Sequence, residues 1–436
     1  MYEIVIGRSE KDREKYGLRG TILLGKHYVR MGQTTSLSNP VYMDVTGSHV
    51  VFVCGKRGSG KSYTMGVMVE GMVNLPEEIS NNISVIMLDT MGIYWTMKYP
   101  NQQDAAILRE WDMDARGLNV QIYTPAGYFK EFKDKGVPTD FPFSVRPSEL
   151  DPEDWCATFE LPINEPVAVL IFAIIAQLRE KGSDYGIEEI IKAIRDYADT
   201  ERDIKAAAIN RFTTAESWGL FSKDGTAIKD LINPGHITVL DVSCYATTSG
   251  SNFIRSLVIG LVAKKLFIER MVARRTEEYE AVHKSMSPFS QEDSEASKMP
   301  MVWLVIDEAH EFLPREGKTL ASDPLITILR EGRQPGISLV LATQQPGKIH
   351  TDVMTQADTV ISHRLTARLD VESLGMLMQS YMQQGLDKYL NELPSDKGSA
   401  IVFDDTNERL YPISVRPRLT WHGGGSPQAI RDKREF

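Results

Sequence analysis

A glycine-rich loop between an apolar segment and a helix-forming segment constrains the fold more than any other feature. The sequence VFVCGKRGSGKSYT at residues 51–64 has glycines at positions 55 and 60, followed directly by Lys61 and Ser62. Glycines at this spacing let successive backbone N–H groups converge on phosphate oxygens, and the start of the next helix adds partial positive charge. We expect Lys61 to reach the β- and γ-phosphates of a nucleotide and Ser62 to ligate Mg²⁺. The predicted nucleotide-binding residues are Gly55, Arg57, Gly58, Ser59, Gly60, Lys61, Ser62 and Tyr63.

The order of apolar and helix-forming segments predicts an α/β fold. Near-continuous apolar runs lie at 50–54, 83–89, 118–123, 236–242, 301–307 and 337–343. Runs of this kind are typical of parallel strands that are buried on both faces. Because helical patterns separate the runs, we expect a mostly parallel sheet with helices on both faces.

Changes in sequence pattern divide the chain into three predicted parts. Residues 1–47 carry short β-like pieces and predict a small β subdomain or partial barrel. Residues 48–410 predict the α/β core, with a helical insertion at about 147–232 and a mobile surface loop at about 276–299, where no periodicity is visible. Residues 411–436 are predicted to form an extended tail.

The segment MVWLVIDEAHEFLP at 301–314 is an apolar run that ends in two acidic residues. In a protein with a phosphate loop, a carboxylate at the end of such a strand holds Mg²⁺, and an adjacent glutamate can polarise the attacking water. We therefore expect Asp307 to be a metal ligand and Glu308 to be the catalytic base. The pair favours hydrolysis over phosphoryl transfer to a second substrate. For His310, a packing or hydrogen-bonding role and a functional role both stay open.

The segment DPLITILREGRQPG at 323–336 predicts a helix that Asp323 caps and that a proline–glycine pair ends. Arg330 and Arg333 would lie three residues apart on one face of this helix. Two arginines near a subunit edge can act on the γ-phosphate that a neighbouring subunit binds, so both are candidate catalytic residues. The alternative for each is a surface ion pair, with Glu331 or with another carboxylate.

The next apolar run, ISLVLATQQP at 337–346, ends in polar residues. Gln344 would lie beside the strand that carries Asp307, where it is suited to sense the γ-phosphate through the attacking water. The alternative is an ordinary polar residue at the end of a strand.

Composition limits the partners and the compartment. Lys and Arg number 49 against 59 Asp and Glu, a net charge of −10, so any contact with nucleic acid must come from a local basic strip such as a channel lining. The three cysteines show no CxxC spacing, which argues against a disulfide framework or a structural zinc site. The longest apolar run, at 167–176, is about half of the ~20 residues that a membrane span needs. We therefore expect a cytoplasmic protein without a membrane segment.

Taken in order, these motifs resemble a known family. The phosphate loop, IMLDTMGIYW at 86–95, ITVLDVS at 237–243, LVIDEAHEFLP, LREGRQPGISLVLATQQP and the tail sequence RPRLTWHGGGSP at 416–427 resemble the HerA-like branch of the HerA/FtsK superfamily. The resemblance extends from about residue 20 to residue 427. It implies a RecA-like P-loop core and a ring-forming, usually hexameric, ATPase that pumps double-stranded DNA.

The resemblance also implies residue roles, ligands and partners. It assigns the Walker A residues to Lys61 and Ser62, the Walker B acid to Asp307, the catalytic glutamate to Glu308, the sensor to Gln344 and the arginine that crosses the subunit interface to Arg333. ATP and Mg²⁺ would be bound, the tail from about 411 would brace neighbouring subunits, and a NurA-like nuclease or another effector would be the partner in DNA end processing or antiphage defence.

The sequence departs from the family pattern in two places. Only about 47 residues precede the phosphate loop, so the longer N-terminal barrel of full-length HerA proteins is incomplete. Arg57 and Gly58 stand where Thr-Gly is usual, and Arg57 either touches nucleotide or a neighbouring subunit or is solvated.

Parts of the sequence are also compatible with other functions. The letters DEAH at 307–310 suggest an RNA helicase, but more than half of the chain lies between Lys61 and Asp307, and no QxxGRxGR segment is present. A second alternative is a conjugation or packaging ATPase of the same superfamily. Such proteins often have membrane segments, and we expect none here. An ATP-dependent scaffold or switch that gates a partner without substantial DNA translocation stays an alternative. For a motor, basic residues must line the pore, and Lys348 is one candidate, with a solvated loop lysine as the alternative.

Overall fold

The computed structural model describes residues 2–31, 34–182, 184–247, 251–286, 299–365, 367–375, 389–390, 393–394 and 396–425. The described strands form one 13-stranded sheet. They are β1 (Ile4–Ile6), β2 (Thr21–Met31), β3 (Thr34–Asp44), β4 (Val50–Cys54), β5 (Ile83–Asp89), β6 (Val120–Pro125), β7 (Phe141–Phe143), β8 (Ile237–Asp241), β9 (Met301–Ile306), β10 (Ile337–Thr343), β11 (Thr359–His363), β12 (Ser399–Asp404) and β13 (Arg409–Val415).

The described helices flank this sheet. They are α1 (Glu10–Tyr16), α2 (Lys61–Val73), α3 (Glu77–Ser80), α4 (Ala105–Glu110), α5 (Ala126–Asp134), α6 (Pro152–Thr158), α7 (Pro166–Glu180), α8 (Ile187–Asp196), α9 (Arg202–Ser217), α10 (Ser251–Met286), α11 (Ser322–Glu331), α12 (Thr351–Gln356) and α13 (Arg368–Gly375). None of the helices in the described ranges has an apolar stretch long enough to cross a membrane.

The sheet is parallel over its larger part and antiparallel toward one side. Its strand order is β1-β3-β2-β13-β12-β11-β4-β10-β9-β5-β8-β6-β7. The strands from β11 to β7 are parallel, whereas β12, β13 and β2 pair antiparallel. The predicted α/β class is confirmed. The parallel strands all end at one border of the sheet, which we call the carboxyl edge and which includes Cys54, Asp89, Ile306 and Thr343.

Apolar runs form the central strands because both faces of the sheet are covered. β4, β5 and β10 occupy the predicted residues, and every residue of β5 and β10 is buried. On one face, α2 packs with the N-terminal strands through Met65, Met68 and Met72. On the other face, α6 to α9 pack around Trp155 and Phe212, whose rings lie 4.9 Å apart. These four helices lie in the segment where the helical insertion was predicted.

The two ends of the chain differ from the predicted division into parts. The strands within residues 1–47 do not form a separate barrel, because β2 pairs with β13 and so extends the main sheet, with Ile413 opposite His27. The boundary predicted at 410/411 falls inside β13 for the same reason. Residues 426–436 of the predicted tail lie outside the described residues.

Two predictions within the core also differ from the structure. α10 continues to Met286, so residues 276–286 are helical where a mobile loop was predicted; their three Glu residues favour a helix, and their apolar residues Tyr279, Val282 and Met286 lie three and four residues apart. Residues 287–298 of that predicted loop lie outside the described residues. β11 was not predicted, because its sequence TVISH is short and contains three polar residues.

Candidate active site

The phosphate loop joins β4 to α2 at the carboxyl edge. Gly55 and Gly60 have φ angles of 155° and 115°, which residues with a side chain rarely adopt. A Cβ atom on Gly55 would lie only 2.6 Å from the Cβ of His363 and from the Oγ of Ser59. The hydroxyl of Ser59 is buried and has no hydrogen-bond partner within the described structure. The loop is therefore a close-fitting backbone cradle with one polar group left for a ligand.

Lys61 and Ser62 are the first two residues of α2. The Nζ of Lys61 donates a hydrogen bond to the backbone oxygen of Lys56 at 3.3 Å, so the amine lies over the loop. The Oγ of Ser62 donates to Oδ2 of Asp307 at 2.7 Å. A hydroxyl beside a carboxylate fits Mg²⁺, which proteins hold through one or two oxygen ligands while waters and phosphates supply the rest. Ser62 and Asp307 are thus the residues that would hold the ion.

Glu308 follows directly after Asp307 at the end of β9. Its backbone is left-handed, with φ 50° and ψ 41°, and its N–H donates to Oδ1 of Asp307 at 2.9 Å. Burial, and next the charge of Asp307, raise the pKa of the Glu308 carboxyl to about 7. Its Oε2 atom is buried without a hydrogen-bond partner among the described residues. A carboxyl with a pKa near neutrality and a free oxygen is suited to accept a proton from water.

Gln344 and His310 surround this carboxyl. The Nε2 of Gln344, just after β10, donates to Oε1 of Glu308 at 3.2 Å, since β10 is the parallel neighbour of β9. The Nδ1 of His310 lies 3.0 Å from the Oγ1 of Thr343 and 3.6 Å from the Oε2 of Glu308. Burial lowers the pKa of His310, which favours the neutral ring. His310 therefore has hydrogen-bonding partners beside the site, which is the first of the two roles left open for it.

His363, which sequence reasoning missed, supports the loop from β11. Its Nδ1 lies 3.1 Å from the backbone oxygen of Ser399, and its Nε2 lies 2.9 Å from the Oγ1 of Thr64 on α2. Burial lowers the pKa of His363 to about 4, so the ring is neutral near pH 7. The carbonyl needs a donor at Nδ1, and Nε2 is then the acceptor for the Thr64 hydroxyl. A histidine at the end of an unrecognised strand gave no local signal of this position.

Tyr94 and Asp89 form a second contact that sequence reasoning did not assign. The hydroxyl of Tyr94 donates to Oδ2 of Asp307 at 3.4 Å. Asp89 accepts backbone N–H groups from four successive residues, including Gly92 at 2.7 Å and Tyr94 at 2.9 Å. Burial and the charge of Asp241 raise the pKa of Asp89 to about 7. Asp89 thus shapes the turn that brings Tyr94 to the metal ligand; the run DTMG in IMLDTMGIYW was its only sequence signal.

Other predicted residues lie away from these groups. The ring of Tyr63 turns to the C-terminal segment, where its hydroxyl accepts the N–H of Arg418 at 2.7 Å, so only its backbone faces the loop region. Arg57 and Gly58 are exposed at the loop surface. Arg330 donates from Nε to Oδ2 of Asp352 at 2.6 Å, the surface ion pair that was the alternative for it.

Arg333 lies at the border of the sheet opposite the carboxyl edge. α11 begins at Ser322, one residue before the predicted cap Asp323, and ends at Glu331, so Arg333 lies in the turn that follows and not on the helix face. The hydroxyl of Ser48, before β4, donates to the backbone oxygen of Arg333 at 3.3 Å. The exposed side chain is therefore about one strand length, roughly 15–20 Å, from the phosphate loop of its own chain.

Comparison with known proteins identifies the family to which the chain belongs. A family model described as the central domain of the helicase HerA matches residues 29–260, more than half of the chain, and a model described as zonular occludens toxin matches 253–385. The chain is 28% identical over 149 residues to a probable DNA double-strand break repair helicase HerA of Methanocaldococcus jannaschii, and 26% identical over 184 residues to the HerA of Pyrococcus furiosus. These matches cover 32% and 39% of this chain, and 28% and 31% of the relatives.

A solved structure shares the fold at low sequence identity. VirB4 of Thermoanaerobacter pseudethanolicus superposes with a TM-score of 0.53 and 12% identity, over 90% of this chain and 96% of that one. The phosphate loop, the carboxylates at the end of β9 and the family match lead to one conclusion. The chain belongs to the HerA helicase family of P-loop ATPases.

Proposed function

We propose that this protein is an ATP-hydrolysing subunit of a ring that moves double-stranded DNA. One observation carries the proposal: Ser62, Asp307, Glu308 and Gln344 meet at the carboxyl edge, with Ser62 bonded to Asp307 at 2.7 Å and Gln344 to Glu308 at 3.2 Å. This is the set that a hydrolytic phosphate-loop site needs, and it belongs to a chain of the HerA family.

The geometry suggests how each side chain contributes. The loop amides and Lys61 hold the phosphates of ATP, and Glu308 accepts a proton from the water that Gln344 orients for attack on the γ-phosphorus. Mg²⁺, held by Ser62 and Asp307, would neutralise charge on the phosphate oxygens when bound. His363 and Tyr94 keep the loop and Asp307 in position.

A homo-hexameric ring is part of the proposal, and Arg333 supports it. Arg333 is too far from the phosphate loop of its own chain to reach the nucleotide there. An exposed arginine at that border is suited to enter the site of the next subunit, where it would stabilise charge on the γ-phosphate. Heterologous contacts of this kind give a ring when the rotation between neighbouring subunits closes.

DNA contact is proposed for the basic residues at the carboxyl edge. Lys348 is exposed after β10, and its backbone oxygen accepts the N–H of Arg315 at 2.8 Å, so the two exposed cations belong to adjoining segments. Phosphate contacts from such residues supply affinity that does not depend on DNA sequence. A nuclease or another effector is the proposed partner, as the resemblance of the sequence motifs to the HerA-like branch implies.

The testing experiment is the steady-state ATPase rate with and without linear duplex DNA, on protein whose mass in solution is measured in the same preparation. A ring-sized particle with hydrolysis that duplex DNA stimulates, and that salt weakens, supports the motor. Lys348→Glu together with Arg315→Glu should abolish the stimulation but keep the basal rate. If a ring forms but ATP hydrolysis is equally fast with and without DNA, in the native protein as in the double variant, the result contradicts DNA movement and favours the partner-gated switch.

A further inference from the structure

The second half of α10 extends beyond the core. The helix has 36 residues, roughly 54 Å, whereas the adjoining strand β9 has six, roughly 20 Å. Its buried anchor toward the C-terminal half is Arg270, which donates from Nε to the oxygen of Pro335 at 2.8 Å and from Nη1 to the oxygen of Met299 at 2.7 Å. From Arg274 to Met286, every polar contact recorded for the described residues is made within the helix itself.

This extended part carries an apolar stripe that the described chain does not cover. Ile268, Val272, Tyr279, Val282 and Met286, which we call the α10 stripe, are each between 51% and 75% exposed. Their spacing follows the alternation of three and four residues that defines the seam of a coiled coil, with Arg275 in the one remaining seam position. An isolated apolar side chain is ordinary at a surface, but five in helical register indicate a contact with another helix.

Charge distinguishes between the possible arrangements of a second α10. In a parallel pair, each seam residue faces its own copy, which would place Arg275 against Arg275. In an antiparallel pair with its two-fold axis at Glu277, Ile268 faces Met286 and Val272 faces Val282 of the other copy. The same register sets Arg275 against the ring of Tyr279, a cation–π arrangement.

The flanking charges favour the same antiparallel register. Arg274 and Arg275 lie on the N-terminal side of Glu277, whereas Glu278 and Glu280 lie on its C-terminal side. Antiparallel pairing sets the basic side of one helix beside the acidic side of the other. Arg274 already bonds Glu278 within its own helix at 3.2 Å, and Arg275 is exposed, so Arg275 is the cation that gains most from a second copy.

We propose that the α10 stripe is a self-association surface, on which the α10 helices of two copies of this chain pair antiparallel about Glu277. The interaction does not depend on ATP hydrolysis, because the stripe lies outside the site. If the chain forms rings, several stripes project from each ring, so two rings would be joined by many weak contacts at once.

Cysteine cross-linking tests the direction of pairing in the full-length chain. Val272→Cys and Val282→Cys variants, each alone, should not form disulfide-linked dimers, whereas a co-expressed mixture of the two should. The native Cys54 and Cys156 are buried and Cys244 is half-buried, so unsubstituted protein is measured alongside to give the background from native cysteines. Self-linking of each single variant would indicate parallel pairing, and a mixture that stays at background would show that the helices do not meet; either result overturns the proposal.

Mass measurement gives a second, independent readout. Val272→Glu together with Val282→Glu should reduce the particle mass by about half, because an isologous contact is broken on both copies. Ala281→Glu adds one negative charge at an exposed position off the stripe and should leave the mass unchanged. The ATPase rate reports that each variant is folded. A stripe variant with unchanged mass contradicts self-association, and so does one whose mass falls only because a different co-purifying protein is lost.

Discussion

At the scale of single residues, the site depends on acidic and basic side chains whose pKa values are shifted by burial. The pKa of the Glu308 carboxyl is raised to about 7. The pKa values of His310 and His363 are lowered, which favours their neutral rings. Glu308 is thus the side chain beside the phosphate loop that is poised to exchange a proton near pH 7. This gives its role in hydrolysis two separate tests.

Glu308→Gln should still bind ATP but hydrolyse it at least ~100-fold more slowly, the scale expected when a positioned base is lost. The amide keeps the shape and the contact with Gln344 but cannot accept a proton. Single-turnover hydrolysis and nucleotide affinity should be measured on the same protein. Near-normal turnover would remove Glu308 from the role of base, and lost binding would indicate damage to the loop.

The ATPase rate of the native protein should rise with pH through about 7, because only the ionised Glu308 carboxylate accepts a proton. Well below that pH the rate should fall about tenfold per pH unit, since one proton blocks the base. In Glu308→Gln the residual rate should lose this dependence. A native profile that stays flat from pH 6 to 8 would show that ionisation of Glu308 does not limit hydrolysis.

His363→Leu should weaken ATP binding more than it slows turnover, because the ring supports the loop and does not face the reacting atoms. The substitution leaves the oxygen of Ser399 and the hydroxyl of Thr64 unpaired, at a cost of about 1–3 kcal/mol per buried group. We therefore expect KM for ATP to rise with little change in kcat, and a lower melting temperature. A variant in which kcat alone falls would place His363 closer to the chemistry than its contacts indicate.

The residues that sequence could identify are those with local chemical signals. Lys61, Ser62, Asp307 and Glu308 follow motifs whose spacing is set by one loop or one strand end. His363 could not be found this way, because its role arises only when β11 packs beside β4, and no local pattern records which strands become neighbours.

At the scale of elements, the C-terminal segment is fastened to the helix that follows the phosphate loop. Glu70 of α2 is fully buried and accepts hydrogen bonds from Arg416 at 3.0 Å and from Arg418 at 3.3 Å. Although burial alone would raise it, the charges of Arg418 and Arg416 hold the pKa of Glu70 below its ordinary value. The helix that begins in the phosphate loop is therefore bonded through Glu70 to residues 416–420.

Glu70→Ala should destabilise the fold by about 3–5 kcal/mol, because it leaves two buried guanidinium groups without an opposite charge. The matched control is Glu78→Ala, which breaks an exposed pair with Arg19 and should cost less than about 1 kcal/mol. Urea unfolding followed by tryptophan fluorescence compares the two. Equal midpoints for both variants would show that the buried network adds nothing to stability.

The lowered pKa of Glu70 makes the stability of the fold fall in acid. Since its folded pKa is lowered, its contribution to stability is complete above the ordinary glutamate pKa and is lost as the pH falls through the lowered value. Native protein should therefore lose stability in acid faster than Glu70→Gln.

Element boundaries were predicted best where pattern and context coincide. The buried runs of β4, β5 and β10 are read directly from apolar β-branched residues. The end of α10 was not predicted, because a charged surface helix has no core-facing period to detect. The strand β13 was not predicted either, because it is stabilised by pairing with β2, nearly 400 residues earlier in the chain.

At the scale of the whole molecule, sheet order separates the two halves of the proposed active site. The phosphate loop lies at the carboxyl edge, and Arg333 lies at the opposite border. This arrangement makes hydrolysis a property of neighbouring subunits if Arg333 acts on the nucleotide of the next chain. The sequence alone suggested a trans role, but the separation that gives the role a physical basis depends on the strand register.

Mixing inactive variants tests this separation directly. Arg333→Ala subunits keep an intact phosphate loop but lack the arginine, and Lys61→Ala subunits lack the loop lysine but keep the arginine. Each alone should be nearly inactive, whereas rings of both should contain interfaces with one intact loop and one intact arginine. For random mixing these make up about a quarter of the interfaces in a closed ring, so about a quarter of the native rate should return.

Arg330→Ala provides the comparison for the mixing experiment, because its guanidinium is bonded to Asp352 of its own chain. It should retain most activity alone and gain nothing from Lys61→Ala subunits. If the Arg333→Ala mixture stays at the summed rates of its parts while mass measurement shows mixed rings, Arg333 does not act across the interface. Its position would then serve subunit contact only, and another cation must stabilise the γ-phosphate.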